Sequence, residues 1–223
     1  METFGGYQRE LYGCCPEARR MIALPSPATV HAFWFGGSAA SPEVLKTHAP
    51  LWFNGGDAFD RILTAQFQPL LETLSAGPMA HDWAARGPRQ RLSAIIVLDQ
   101  MSRNIFRKSP RAFAQDMLAL HLCKEGLAAG EDRGLSEVER VFFYLPLEHS
   151  EAMADQERAV ALFTALAAEA RPEFRDFAAN TKDYAEAHLK VIGDFGRFPH
   201  RNDVVGREST PDEKEWLAEG GGF

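Results

Sequence analysis

The stretch PEFRDFAANTKDYAEAHLKVIGDFG, residues 172–196, decides the fold class. Phe174, Phe177, Thr181, Tyr184, His188, Val191 and Phe195 follow one another at steps of three and four. That spacing gathers side chains onto one face of an α-helix. Pro172 presets φ for a first turn, and Gly196 is the residue type that closes a last one. The same grammar repeats outward. Residues 57–75 carry Phe59, Ile62, Leu63, Phe67, Leu70, Leu71 and Leu74 at helical spacing and stop before Gly77-Pro78. Ser26-Pro27 opens a short aromatic segment, residues 30–35, ended by Gly36-Gly37. Pro88 opens a helix in which Leu92, Ile95, Ile96 and Leu98 leave few polar positions, the mark of a central, buried element. Ser109-Pro110 predicts a long helix to Ala129, closed by Gly130, and Ser136 with Glu139 forms a capping box. A further helix is expected over residues 150–170, with a start as early as Pro146, and Thr210-Pro211 caps a short terminal one. No stretch shows strand alternation. The expectation is an all-α domain over residues 26–223, seven to eight helices in antiparallel hairpins, after a flexible leader over residues 1–25.

Composition narrows the function classes. The 223 residues are 45% hydrophobic and 25% charged, ordinary for a folded chain. No apolar run approaches the ~18 residues of a bilayer span, and the N-terminal segment lacks the apolar core of a secretion signal. Three cysteines, Cys14, Cys15 and Cys123, give no disulfide framework and suit a reducing cytoplasm. The adjacent Cys14-Cys15 pair is read as incidental rather than as a soft-metal site. Net charge is −7, which argues against nucleic-acid binding. Residues 86–111 nevertheless hold seven basic side chains against Asp99 alone, a local +6 that leaves −13 for the remainder. Two readings stand: a local anion site, or cations paired with acids elsewhere on the fold.

Phosphate-binding glycine loops, zincin motifs and serine-hydrolase elbows are all absent. Three polar clusters interrupt the apolar faces instead. In the first, Asp99 falls where a core residue belongs, with Arg103 one turn on as an i,i+4 partner and Asn104 beside it. Such charges are costly to bury unless paired or bound to something. The second is Glu148, His149, Ser150 and Glu151, followed by Asp155 and Gln156. For a helix starting at Pro146, Glu148, Glu151 and Asp155 share a face and His149 and Gln156 the neighbouring stripe. Carboxylates beside an imidazole move pKa values toward neutrality, as general acid–base work requires; the alternative is a capped helix start with dipole-complementing acids. The third, Gly196 to Asn202, gathers Arg197, His200, Arg201 and Asn202 around Pro199 as an anion-binding loop or as helix C-terminal caps. His188, on the apolar stripe, reads first as a core histidine and second as a metal ligand with His149 and His200.

The strings DQMSRNIFR, FFYLPLEHSEAMADQERAV and GRFPHRNDVVGREST resemble the hallmark segments of the bacterial domain-of-unknown-function family numbered 924. Val30-His31-Ala32-Phe33-Trp34-Phe35-Gly36 matches its VxxFWFG opening. Where the family pattern has Phe-Pro within DQFPRNIFRG, this chain has Met101-Ser102. The resemblance implies a tetratricopeptide-like, right-handed array of helical hairpins, and it implies no reaction.

The combined reading is a cytoplasmic small-molecule-binding protein or enzyme whose three clusters close on one pocket for a carboxylate or phosphate. Glu148, His149 and His200 are the catalytic candidates. Asp99, Arg103, Asn104, Asp155, Gln156, Arg197, Arg201 and Asn202 are the substrate-binding ones, with arginine forks holding the anion. No cofactor is assigned. A protein-interaction scaffold and a His/Glu metalloprotein are the alternatives.

Overall fold

The computed structural model describes residues 23–222, so the Cys14-Cys15 pair and nearly all of the expected leader lie outside the described residues. Among these residues all regular structure is helical. The α-helices are α1 (Pro27–Phe35), α2 (Pro42–Asn54), α3 (Gly56–Leu74), α4 (Pro78–Ala84), α5 (Pro88–Ile95), α6 (Ser102–Ile105), α7 (Asp116–Ala128), α8 (Glu137–Glu148), α9 (Met153–Glu169), α10 (Arg175–Phe195), α11 (Asn202–Val205) and α12 (Pro211–Ala218). A π-helical segment, Ile96–Met101, joins α5 to α6, and short 3₁₀ turns precede α7, α8, α10 and α11.

Residues 91–102, from the middle of α5 through the π segment, are buried without interruption. Around this rod pack α1, α3, α4, α7 and α8, while α9 packs on both α8 and α10. One end of the core is aromatic. The Trp52 and Phe142 rings meet edge-on at 4.7 Å, and Trp34 meets Phe142 the same way at 5.6 Å. The Trp52 Nε1–H donates to the Trp34 carbonyl at 2.8 Å. The Val30–Gly36 motif is thus core: Val30, Trp34 and Phe35 are all buried. Gly126 lets α7 approach closely, because a Cβ there would stand 2.5 Å from the Phe143 ring and 2.6 Å from Arg91 Cδ.

Local chemistry explains most boundaries. Ser136 and Thr210 complete capping boxes with Glu139 and Glu213, and Gly196 closes α10 with φ of 71°. Four expectations need correcting. Helices α2 and α4 had no assignment from the sequence, so the count exceeds seven to eight. The long helix expected from Ser109 is broken: Pro110–Phe113 is a 3₁₀ turn and α7 begins at Asp116. The Ala112 carbonyl that would accept from Asp116 N–H lies instead 3.1 Å from the Ser102 hydroxyl. Pro146 does not open a helix but sits inside α8, which His149 caps; α9 starts at Met153. Finally, the buried face of α10 is Ala178, Thr181, Ala185, His188, Val191 and Ile192, with Tyr184 54% exposed. The packed face thus shares Thr181, His188 and Val191 with the predicted stripe, adds Ala178, Ala185 and Ile192, and leaves Tyr184 out.

The basic stretch is distributed rather than gathered. Arg89 pairs with Glu139, Arg91 with Glu131, Arg107 with Asp60 and Arg111 with Glu72. No helix among the described residues is long and apolar enough to cross a membrane.

Candidate functional site

Asp99 sits in the π segment, wholly buried. A π turn advances its residues differently from an α turn, so a polar side chain can be aimed at a neighbouring helix end from within an apolar rod. Here the neighbour is the C-terminus of α8. The Asp99 Oδ1 lies 2.8 Å from Nδ1 of His149 and 3.2 Å from Nη1 of Arg103. Burial would raise the Asp99 pKa, but Arg103 and His149 outweigh it and hold the carboxyl below its ordinary range. The His149 pKa is lowered by burial and by Arg103, against the pull of Asp99. A neutral ring beside an ionised carboxylate carries its proton on Nδ1 and donates it to Asp99. The Nε2 lone pair is then left as acceptor, on a ring that lines an open cleft.

That cleft, about 370 Å³, lies between the start of α7, the end of α8 and the chain around α11. Phe113, Asp116, Met117 and Leu120 form one wall, Pro146, His149, Ser150 and Glu151 the second, and Arg201, Val205 and Arg207 the third. The size suits a small metabolite. Arg103 binds both oxygens of Asp116 at 3.0 Å. Arg201 donates to the His149 carbonyl at 3.1 Å and lies 3.5 Å from Asp116 Oδ2. Its guanidinium is held between Phe113 and Phe198, 4.8 and 4.5 Å from the ring centroids. Burial and the nearby Arg103 lower its pKa to about 10, so it stays charged at neutrality. Its Nε–H is buried with no hydrogen-bond partner among the described residues. Glu151 fastens the third segment to the second, accepting from the Phe198 N–H at 2.9 Å and from Arg207 at 2.7 and 2.9 Å.

Beneath the dyad, Glu148 and His188 meet at 3.1 Å. The geometry is that of an ion pair, yet burial pushes Glu148 up to about 8 and His188 down to about 3. Both are therefore neutral at pH 7, the arrangement a low-dielectric site favours. The His188 Nδ1–H donates to the Tyr184 carbonyl at 2.8 Å. His200 is also held neutral, its pKa lowered to about 4 by burial and then by Arg201.

The three polar segments therefore converge through Asp99, Arg103, His149 and Arg201, with Glu148 and His200 close by. Five further candidates are placed elsewhere. Asn104 donates to Asp60 at 2.8 Å, on the α3 side. Asp155 accepts from Ser150 at 2.8 Å and pairs with Lys124 at 2.6 Å. Gln156 clamps the turn after α8, donating to the carbonyls of Glu148 and Ser150 at 2.6 Å each. Arg197 forks onto Glu213 at 2.6 and 2.8 Å, and Asn202 donates to Ser209 and to the same Glu213. Glu213 sits in the capping box of α12, so these two hold the C-terminal helix rather than line the cleft. The rings of His149, His188 and His200 do not bring three ligand atoms together. Sequence reasoning missed Asp116, Phe113 and Arg207. Only Arg207 carried a signal, its place in the GRFPHRNDVVGREST string.

A family model described as "Bacterial protein of unknown function (DUF924)" matches residues 30–221. The solved structure of a protein of unknown function, ATU0120, from Agrobacterium tumefaciens is 33% identical, with a TM-score of 0.67 over 83% of this chain and 99% of that one. No curated protein matches the chain.

Proposed function

This chain belongs to the bacterial DUF924 family, and on that premise, which brings no reaction with it, we propose that the cleft is the active site of an acid–base enzyme for a small anionic molecule. The observation that carries the reading is the buried Asp99–His149 contact of 2.8 Å at the cleft wall. A neutral imidazole whose far nitrogen is oriented by a buried carboxylate is the working part of many general bases. His149 takes a proton from substrate or from an attacking water, and Asp99 stabilises the imidazolium that forms. Hydrolysis and proton abstraction beside a carbonyl are the reaction classes that need no more. The anion narrows to Arg201, whose single 3.5 Å contact with Asp116 is looser than the forks of Arg103 onto Asp116 and of Arg207 onto Glu151. Arg201 retains an uncommitted Nε–H between two aromatic faces, which fits one carboxylate or phosphate oxygen. His200 and Glu148 back the site from behind, Glu148 as a buried acid rather than as the residue in first contact.

The chain is taken as cytoplasmic in this reading, and the helices as a tetratricopeptide-like array supporting the cleft. A scaffold reading draws on Met117, 76% exposed, and Val205, 38% exposed, at the cleft mouth. Calorimetric titration with phosphate and with small mono- and dicarboxylates separates the two. Arg201→Ala is expected to weaken anion binding at least tenfold, and Arg201→Lys to restore part of it. Turnover of any substrate found by screening such compounds is expected to fall by about 10²-fold or more in His149→Ala. Anion binding indifferent to both arginine variants would sink the enzyme reading.

A further inference from the structure

A second constellation lies outside the cleft. His121 and Glu125 stand four residues apart on α7, so their side chains share one face of the helix. The His121 Nε2 is 3.1 Å from Glu125 Oε1. His81, on α4, presents its ring edge-on to His121 with centroids 5.8 Å apart. One ligand atom from each of the three residues lies within 4.8 Å of the others, and all three side chains are exposed.

We propose that His81, His121 and Glu125 form a divalent metal site that clasps α4 to α7. Two imidazoles and a carboxylate are the donor set of three-ligand zinc sites, with the fourth position open to water. Metal–ligand bonds of about 2.0–2.1 Å put tetrahedral ligand atoms roughly 3.3 Å apart; His121 and Glu125 already stand at 3.1 Å, so His81 is the ligand that closes in, by up to roughly 1.5 Å. Exposed rotamers have that freedom. The carboxylate is already oriented from behind: Arg91 Nη1 donates to the other oxygen, Glu125 Oε2, at 3.3 Å. Arg91 is committed more closely to Glu131, at 2.8 Å, so it steers Glu125 without neutralising it fully. Mixed imidazole and carboxylate ligation selects late first-row divalent ions, zinc and copper above manganese or magnesium. None of the three residues lines the cleft, although Met117 and Leu120 of the cleft wall lie within one turn of His121 on α7.

The test uses full-length, untagged protein stripped with chelator and titrated with zinc chloride by calorimetry, then with cobalt chloride followed by visible absorption. One zinc per chain, a raised melting temperature and the intense visible bands of four- or five-coordinate cobalt are expected. His121→Ala and Glu125→Gln should each weaken zinc binding about tenfold or more and remove the thermal shift. His81→Ala should do the same, because it alone supplies the link to α4. His149→Ala should leave zinc binding unchanged. Absence of stoichiometric zinc binding would overturn the proposal. So would binding that survives the His81→Ala/His121→Ala double variant or that disappears with His149→Ala.

Discussion

At the scale of single residues, Asp99 is the side chain on which most depends. It sits in an apolar rod, accepts from His149, pairs with Arg103 and also receives the Gln100 amide at 2.6 Å. Truncating one member of a buried charged network leaves the others unpaired, which costs about 3–5 kcal/mol. Asp99→Ala is expected to lower the urea midpoint accordingly. Asp99→Asn should cost less, yet it removes the charge that fixes the His149 proton on Nδ1, so activity should fall further than stability. Equal losses in both would mean that Asp99 has a packing role only. Much of this residue-level chemistry was legible in the sequence. A charge at a core position with a cation four residues on marked Asp99 and Arg103, and the neighbouring carboxylates marked His149. Asp116 was not legible, since nothing local distinguishes it from any acid at a helix start. Arg197 and Asn202 were misplaced because their partner, Glu213, lies far along the chain and belongs to the capping of another helix. Cys123 is buried, and desolvation pushes its thiol up, which leaves it a poor nucleophile.

At the scale of elements, the helix starts with strong chemical signals were readable, and the interruptions were not. Ser136 with Glu139 fixes α8 through local bonds that any sequence reader sees. The buried Glu139 then gains a second duty: burial would raise its pKa, but hydrogen bonds from His31 and Ser136 hold it down to about 2. The end of α8 at His149 rather than before Pro146 is a tertiary outcome. Residues 141–148 are all buried, and packing sustains the helix through a proline that removes one backbone donor. The π segment is invisible to periodicity for a simpler reason: with every position buried, no polar face remains to set a phase. Ser102, where the family pattern has proline, ties this segment down, its hydroxyl within 2.6 Å of the Leu98 carbonyl and 3.1 Å of the Ala112 carbonyl. Ser102→Ala is expected to cost about 1 kcal/mol in chemical denaturation and to loosen residues 110–113 toward faster amide exchange. No change in either would show that packing alone holds the junction.

At the scale of the molecule, the buried titratable groups set a pH profile whose two limbs have different owners. Glu148, raised to about 8, keeps a proton in the fold that the unfolded chain releases. Its contribution is complete below about pH 4.5 and is lost as pH rises toward 8. His188 and His200, lowered to about 3 and about 4, behave in the opposite sense. Their contribution is present above about pH 6.5 and is lost as pH falls through 4. The opposing terms overlap between about pH 4.5 and 6.5. From about pH 6.5 to 8 Glu148 acts without that opposition, and one proton is worth about 1.4 kcal/mol per pH unit, so stability should decline by about 2 kcal/mol. Glu148→Gln, the uncharged isostere, is expected to flatten that alkaline decline in urea midpoints and to leave the acid limb in place. An unchanged alkaline limb would remove Glu148 from the account.

The π segment also has a genealogical meaning. An i→i+5 turn is an α-helix that has taken in one residue beyond what its hydrogen-bond ladder requires. Deleting one residue from 96–98 would let α5 and α6 join as one regular helix, with their outer ends facing as they do now. Asp99, within the re-phased run, would lose its heading toward His149. The scaffold and the site are thus separable by a single codon. A relative can retain every aromatic of the core and every arginine of the cleft yet be disarmed by a gap of one in this run, a difference that a residue-by-residue tally of identities would pass over.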